Sequence, residues 1–362
     1  MIKKELNEIK RAITNPKEST LTEISLCYVS AEKEKVLMEN IPFLNISEEE
    51  TYKYFDIFKK ALSGGFNKTL FHINMGDGEK ERNLLAVMTE KDTKEAFYDE
   101  IIDKYMYPGN FLIIIGHGFY DYPGRFMDNA LDEESDYTYE YMLTAICPVE
   151  LSKPGLTVKD KTVTNRILDW VVGMPKDAFL YPTFTDRERN VHEMLYYSKN
   201  NKDTQEDLLN VFTGNDRPHS ESEDKAYFTE CTKNENDLDI PFTVAKEFCE
   251  QAKELIENSV DTVTKQPKEI ISLLEDAGLS EKDAKNALEK YEKMVGERTE
   301  IPLENLVDTE KAVIKGDGFT LKTNTDTLSE IKTLHIDGKT CLVMPLSSSF
   351  LEINGISTNA AH

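Results

Sequence analysis

The spacing of apolar and polar positions predicts helices and strands in alternation over the first hundred residues. Residues 2–14 repeat apolar side chains at helical spacing among lysines and glutamates, which predicts an amphipathic helix. Residues 21–30 alternate as a strand does. Ser47-Glu-Glu-Glu50 has the form of a capping box, so a second helix is predicted from there to Leu62. The same patterns predict two further elements: a strand over 68–75 and a charged helical stretch over 80–105.

Aromatic residues are concentrated between residues 97 and 199. This stretch holds 11 of the 16 tyrosines and the single tryptophan, Trp170, which predicts that the main core lies here. Phe111-Leu-Ile-Ile-Ile115 is a continuous apolar run and predicts a strand buried on both faces. Further elements are predicted as strands over 139–149, 178–184 and 191–198 and a helix over 163–172.

The order of elements predicts an α+β or α/β fold in three parts. A mixed sheet with flanking helices is expected over residues 1–214. Residues 215–300 are expected to form a linker, polar over 215–237, and a helical segment that includes a hairpin broken at Gly278. Residues 301–357 are expected to form a small β-rich region, with Asp337-Gly338 as the turn of a hairpin and 358–362 as a frayed tail.

The net charge, the apolar runs and the cysteines of the chain limit which partners and locations are expected. The formal net charge of −24 weakens the case for nucleic-acid binding, unless basic residues are clustered locally. No apolar run approaches the length of a membrane span, so no membrane association is expected. Five scattered cysteines without a C-x-x-C pair predict reduced thiols and a cytoplasmic location.

His117 is the first candidate for a functional side chain. It lies between two glycines directly after the apolar run that ends at Ile115, and ligands often bind at the carboxyl ends of strands. A His-Gly at such a place can also contribute to an oxyanion hole, although the chain has no G-x-S-x-G motif. A tight turn with a hydrogen-bonded histidine is the alternative.

The residues that follow form a second candidate. Pro123-Gly124 predicts the centre of a type II turn, with Asp121 and Arg125 placed to pair across it. Turn architecture is preferred here over a binding role.

The stretch from Asp186 to Glu193 joins two predicted strands and carries the remaining candidates. Asp186, Arg187, Arg189 and His192 lie here, and loops beside a sheet often bind ligands. Asp186, His192 and Glu193 could hold a metal ion with His117, but the spacing matches no known metal motif. No cofactor is predicted, because the phosphate-binding glycine motifs are missing from the sequence. No catalytic residue and no metal ligand is assigned.

Several separate motifs resemble a bacterial family known as domain of unknown function 4317. They are spread over most of the chain: Ile115–Gly124, Ala145–Lys153, Asp169–Pro175, Phe184–Arg187, Leu195–Lys199 and Glu352–Gly355. The resemblance implies a cytoplasmic protein of clostridia-like bacteria, or of a phage or mobile element within them, and it implies no activity. The order of segments is also similar to that of acidic nucleoid-associated proteins, which are described as binding DNA, but this is a likeness of layout alone.

Three functional hypotheses remain open. The preferred one is a non-catalytic binding protein for nucleic acid or the nucleoid, with a basic surface formed by residues of the aromatic region: Lys153, Lys159, Lys161, Arg166, Arg187 and Arg189. The second is a protein–protein adaptor that offers acidic faces to a basic partner. The third is a hydrolase or metal-dependent enzyme around His117 and His192. A homodimer is compatible with each of them.

Overall fold

The structure is a computed structural model that places the chain in two compact units, Met1–Pro218 and His219–His362. It describes all residues except 91, 126–130, 160, 201–204, 234–239, 260–261, 347–349, 354 and 360–362. At residues 123–125, 131–136 and 159 it describes the backbone alone. The fold is α+β, as the order of elements predicts.

The described residues of the first unit form α-helices and β-strands, with one 3-10 turn at Phe43–Asn45. Its helices are α1 (Lys3–Ile13), α2 (Glu48–Ala61), α3 (Gly78–Thr89), α4 (Thr93–Lys104) and α5 (Glu206–Thr213). Its strands are β1 (Leu21–Val29), β2 (Lys35–Pro42), β3 (Leu70–Asn74), β4 (Asn110–Arg125), β5 (Leu131–Leu151), β6 (Leu156–Lys159), β7 (Thr162–Asn165), β8 (Trp170–Val172), β9 (Asp177–Tyr181), β10 (Thr183–Thr185), β11 (Glu188–Asn190) and β12 (Glu193–Ser198).

One large sheet organises this unit. Its strands follow the order β2-β1-β4-β5-β9-β12-β3, and β8 pairs with the end of β5. Every described pairing within the sheet is antiparallel, so the parallel component that a mixed sheet would contain is not found among them. The short hairpins β6–β7 and β10–β11 pair outside this sheet.

The sheet is buried on both faces, which explains the apolar run in β4. Successive side chains of a strand point to opposite faces. Ile114 therefore packs into a core with α1 and α2, represented by Ile9 and Phe58. Ile113 and Ile115 pack into a second core on the other face, with apolar side chains of α3, α4 and α5. The prediction of a strand buried on both faces is confirmed.

The aromatic stretch supplies much of both cores. Tyr139, Tyr141 and Tyr197 belong to the core under α1 and α2, whereas Tyr105 and Tyr181 belong to the core under α3 to α5. All five are almost completely buried. The concentration of tyrosines in the sequence therefore corresponds to the filling of a two-sided sheet.

Local signals explain where several elements begin and end. The side chain of Ser47 accepts a hydrogen bond from the backbone N–H of Glu50 and caps α2, as its motif predicts. Gly214 adopts a left-handed conformation with φ of 76° and ends α5. The capping box predicted at Ser47 is confirmed.

The helix predicted over residues 163–172 is wrong. The chain forms β7 and β8 there, and every residue from 161 to 172 is exposed. The apolar side chains of this stretch fit helical spacing by chance, but several are β-branched and favour extended backbone. They have no facing layer against which a helix would bury them.

The turn predicted at Pro123-Gly124 is also wrong. Both residues lie inside β4, which continues to Arg125 opposite β5. The pairing register shifts between Pro123 and Gly124, so the two residues mark a bulge in a long antiparallel pair rather than a chain reversal. His117 likewise lies within β4 and not at the end of a strand.

The second unit combines helices with three hairpins. Its helices are α6 (Glu221–Cys231), α7 (Phe242–Glu257), α8 (Pro267–Asp276), α9 (Glu281–Val295) and α10 (Thr325–Glu330). Its strands are β13 (Thr264–Lys265), β14 (Ile301–Pro302), β15 (Lys311–Gly316), β16 (Phe319–Asn324), β17 (Lys332–Ile336), β18 (Lys339–Val343), β19 (Phe350–Ile353) and β20 (Ile356–Asn359). Helix α6 falls in the polar stretch that was interpreted as a linker.

The predicted hairpins of this unit are confirmed. α8 and α9 meet at Gly278, whose φ of 107° ends the first helix. Asp337 and Gly338 both have positive φ and join β17 to β18, as a two-residue hairpin turn requires. Residues 358 and 359 of the predicted frayed tail belong to β20, and the remainder of that tail lies outside the described residues. No helix among the described residues has both the length and the apolar character to cross a membrane.

Candidate functional site

His117 belongs to a polar cluster on the sheet face that α3 to α5 cover. Its Nε2 lies 3.0 Å from Oε1 of Glu140, and both side chains are largely buried. Arg189 reaches the same carboxylate from β11, with NH1 3.9 Å from Oε2 of Glu140. The ring of His117 also contacts Phe119 edge to face. The structure thus brings together two of the predicted residues, His117 and Arg189, around one glutamate that the sequence did not single out.

A second ion pair lies beside His117 on the neighbouring strand. Glu23 of β1 is directly opposite His117 in the strand register and pairs with Lys94 from the start of α4. Burial acts to raise the pKa of Glu23, but the hydrogen bond and charge of Lys94 outweigh it and lower that pKa. Lys94 Nζ also lies 3.1 Å from Oγ of Ser25. Ser25 is only 1% exposed, so its hydroxyl is closed to a substrate.

Asp121 takes part in a contact between strands. Its Oδ1 accepts a hydrogen bond of 2.7 Å from the hydroxyl of Thr138 across the β4–β5 pair. The predicted partner, Arg125, lies in β4, but its side chain is outside the described part of the structure. The pairing of Asp121 with Arg125 therefore stays a prediction.

Arg187 ties the β10–β11 hairpin to α1. Its guanidinium donates to both carboxylate oxygens of Glu8 at 2.9 Å and lies 5.7 Å from the ring centroid of Tyr122. Tyr120 donates to Glu8 as well, at 2.7 Å. Asp186 precedes Arg187 in an exposed turn, and both residues have positive φ. Bidentate pairing of this kind fixes a hairpin in place, which favours a structural role for Arg187.

His192 lies in a different environment from His117. It is 77% exposed, and its Nδ1 is 2.7 Å from Oε1 of Glu81 in α3. The two histidines thus contact different carboxylates. The described residues contain no group of three or more His, Cys, Asp or Glu side chains that is suited to hold a metal ion.

The pKa of Glu193, the neighbour of His192, is strongly lowered. Burial alone would raise the pKa of Glu193, but the nearby charge of His72 and hydrogen bonds from His72 and Thr183 lower it to about 2. Nδ1 of His72 lies 3.1 Å from Glu193, and Thr183 donates at 2.7 Å. The amino group of Met1 is 3.6 Å away. Glu193 is therefore ionised, and its contacts with His72, Thr183 and Met1 favour a structural role for it.

The buried cysteines are unsuited to nucleophilic chemistry. Burial raises the pKa of Cys147 to about 12 and that of Cys27 to about 11, so both thiols stay protonated near neutral pH. Cys147 lies in β5 and is completely buried.

The most unusual surface of the first unit is an extended β-ribbon over residues 149–172. Within it, we call residues 152–172 the exposed segment. β8 pairs with the end of β5, and β6 and β7, which lie between β5 and β8 in the chain, form a separate two-stranded hairpin. Backbone hydrogen bonds link the two pairings, from Ser152 to Asp169 at 2.8 Å and from Arg166 to Gly155 at 2.9 Å. The backbone is thus regular, while the described side chains lie largely in solvent.

The side chains of the exposed segment combine apolar, aromatic and basic character. Trp170 is 59% exposed and Ile167 is 80% exposed. Lys153, Lys161 and Arg166 are exposed as well. The sequence of the segment has four Lys or Arg and two Asp, in a chain whose net charge is −24. Among the described side chains of the segment, these three exposed basic residues lie close in sequence together with the exposed Asp169.

Sequence comparison gives the chain a family. The profile of DUF4317, described as a domain of unknown function, matches residues 1–356. The chain therefore belongs to the DUF4317 family. The resemblance inferred from separate motifs is confirmed by this match. No curated protein matches this DUF4317 member.

Two of the family-like motifs coincide with the ribbon of this DUF4317 member. Ala145–Lys153 enters it and Asp169–Pro175 leaves it. Sequence reasoning named the basic residues of the ribbon but assigned half of it to a helix. Polar and β-branched apolar residues alternate at Thr157, Val158, Thr162 and Val163. This alternation is typical of a β-hairpin and could have predicted the ribbon.

Proposed function

We propose that this protein is a non-catalytic binding protein that engages duplex DNA through the exposed segment. The observation that carries the proposal is the unbroken exposure of residues 161–172 within a hydrogen-bonded β-ribbon. A two-stranded ribbon has the width to enter the major groove of duplex DNA. An isolated hairpin is only marginally stable in water, so a ribbon of this kind gains stability from a partner.

The charges of the exposed segment support an acidic ligand. Lys153, Lys161 and Arg166 are exposed, and phosphate contacts of such residues supply most of the affinity in sequence-independent DNA binding. The negative charge of the rest of the chain repels DNA, which restricts binding to this basic surface. Trp170 adds an exposed aromatic face close to the basic side chains, at the base of the ribbon.

The experiment measures binding of a fluorescent 20-base-pair duplex by anisotropy at low salt. The triple variant Lys153→Gln, Lys161→Gln and Arg166→Gln should bind on the order of tenfold or more weakly, with the salt slope reduced by roughly 3. The matched control replaces three exposed lysines of α9, Lys282, Lys285 and Lys293, by glutamine. Equal loss in both variants, or no binding by the unmodified protein, would contradict the proposal.

A protein–protein adaptor is a second candidate, favoured by one face of the β6–β7 hairpin. Leu156, Val158 and Val163 lie on the same face and are 77%, 76% and 65% exposed. Apolar side chains exposed together in this way mark interaction surfaces of soluble proteins. Serine at these three positions should abolish capture of a protein partner and leave DNA affinity unchanged if the adaptor function is the correct one.

The enzyme alternative receives less support from the described geometry. His117 and His192 contact different carboxylates, Glu140 and Glu81, and the hydroxyl of Ser25 beside Lys94 is buried. Each charged group of the His117 cluster is held by an opposite charge. That arrangement stabilises the sheet surface and leaves no activated nucleophile among these residues.

A further inference from the structure

A cavity of about 320 Å³ lies where the ends of β9 and β12 meet the loop after α4. The loop contributes Tyr105, Met106 and Tyr107, and β9 begins at Asp177. Lys176, Ser198, Lys199, Asn200 and Gln205 complete the lining. The exposed segment supplies no described side chain to it, whereas Ser198 and Lys199 belong to the family-like motif Leu195–Lys199.

The inner wall of the cavity is a buried carboxylate. Asp177 is 3% exposed and accepts hydrogen bonds from the phenols of Tyr105, at 2.9 Å, and Tyr196. Burial and the charge of Asp177 raise the pKa of both phenols far above neutrality, so each keeps its proton and donates it. The two phenols of this wall therefore keep the same protonation state near neutral pH.

The mouth of the cavity is cationic. The backbone N–H of Lys199 donates to the carbonyl of Lys176 at 2.7 Å, which holds the two lysines side by side. Nζ of Lys176 lies 4.2 Å from the ring centroid of Tyr107, so its ammonium is directed across that ring. Two adjacent ammonium groups at the mouth of a polar cavity favour an anionic group there.

The size and the lining of the cavity indicate what kind of molecule would carry this anionic group. A volume of 320 Å³ has room for roughly ten water molecules at about 30 Å³ each, which is more than an inorganic phosphate fills. Ser198, Gln205 and Asp177 add hydroxyl, amide and carboxylate groups, which already form hydrogen bonds within the protein and keep capacity for further ones. Polar linings of this kind are matched by ligands rich in hydroxyl groups.

We infer that this cavity binds a small hydroxyl-rich organic phosphate, such as a phosphorylated sugar. The phosphate lies at Lys176 and Lys199, and the hydroxyl groups point to the interior wall at Asp177. The ring of Tyr107 flanks the ligand body. This inference does not depend on DNA binding by the exposed segment, because the two use different side chains.

The test is isothermal titration calorimetry on the full chain with ribose 5-phosphate, glucose 6-phosphate and glycerol 3-phosphate. At least one should bind at least tenfold more tightly than ribose or inorganic phosphate. The double variant Lys176→Gln and Lys199→Gln should weaken that binding tenfold or more. Asp177→Asn should also weaken binding of the sugar phosphate, but the sugar phosphate should still bind more tightly than ribose. Lys17→Gln is the matched control for a lysine elsewhere on the first unit.

The DNA-binding variant separates this inference from the proposed function. Replacement of Lys153, Lys161 and Arg166 should leave the sugar phosphate affinity unchanged. If none of the three phosphates binds, or if the Lys176 and Lys199 variant binds as well as the control, the inference is overturned. If Asp177→Asn does not fold, the lysine variant alone decides, since both lysines are at the mouth and Lys199 is exposed.

Discussion

The β4–β5 pair and the ribbon that extends from β5 contain the same kinds of residue in opposite environments. Both are antiparallel, and both are rich in Val, Ile and Leu. Ile114 of β4 is completely buried between helices, whereas Ile167 of the exposed segment is 80% exposed. The difference shows that the residues of a strand do not decide its burial. The layers on each side of it decide, and no described residue of the first unit forms such a layer over residues 161–172.

Truncation of the buried strand should have the largest effect on stability. Ile114→Ala removes buried methyl groups between α2 and the sheet, and the free energy of unfolding should fall by about 2–5 kcal/mol. Urea denaturation followed by near-ultraviolet circular dichroism of the tyrosines measures it. A loss under 1 kcal/mol would mean that the β4 environment is not a packed interior.

Acid should weaken the sheet through Glu193 of β12. Its pKa is lowered from 4.5 to about 2 in the folded state, so the folded state favours the ionised form. The stabilisation is present above pH 4.5 and is lost as pH falls from 4.5 toward about 2. Urea denaturation at a series of pH values should show this loss, of the order of a few kcal/mol, and Glu193→Gln should remove it. An unchanged pH profile in that variant would contradict the assignment.

The buried carboxylate of β9 provides a smaller test of the sheet interior. Tyr196→Phe removes a hydrogen-bond donor to Asp177 and should lower the free energy of unfolding by about 1–3 kcal/mol. Tyr197→Phe serves as the control, because its hydroxyl is buried without a hydrogen-bond partner among the described residues. The control should lose little stability, and equal losses in the two variants would show that the hydrogen bond to Asp177 is not the cause.

The smallest effect is expected in the exposed segment. Ile167→Ala and Val158→Ala should change the free energy of unfolding by less than about 0.5 kcal/mol, because both side chains are exposed in the folded state. The same urea denaturation as for Ile114→Ala measures it. A loss of 2 kcal/mol or more at either position would mean that the segment is packed, and the comparison with β4 would fail.

Local signals in the sequence predicted much of the fold. The capping box at Ser47, the Asp337-Gly338 hairpin and the doubly buried run ending at Ile115 each depend on neighbouring residues, and each is confirmed. The turn at Pro123-Gly124 failed because the partner strand β5 overrides a local preference. Long-range pairing of this kind is not encoded in four adjacent residues.

The candidate sites were predicted only in part, for the same reason. His117 and Arg189 are brought together by Glu140, and Asp177 is joined to Tyr105 and Tyr196, across separations in the sequence that no motif reveals. The basic residues of the exposed segment were recognisable because they are adjacent. The sequence did not reveal that this segment is exposed, because Val163 and Ile167 are residue types that usually lie in a core.

Trp170 offers the most direct test of the claim that the exposed segment binds DNA. It is the single tryptophan and is 59% exposed, so its fluorescence reports on this surface alone. Titration with duplex DNA at low salt should quench the emission, and raising the salt concentration should restore it. Emission that stays unchanged at saturating DNA and low salt, in a protein whose denaturation profile is intact, would contradict the account.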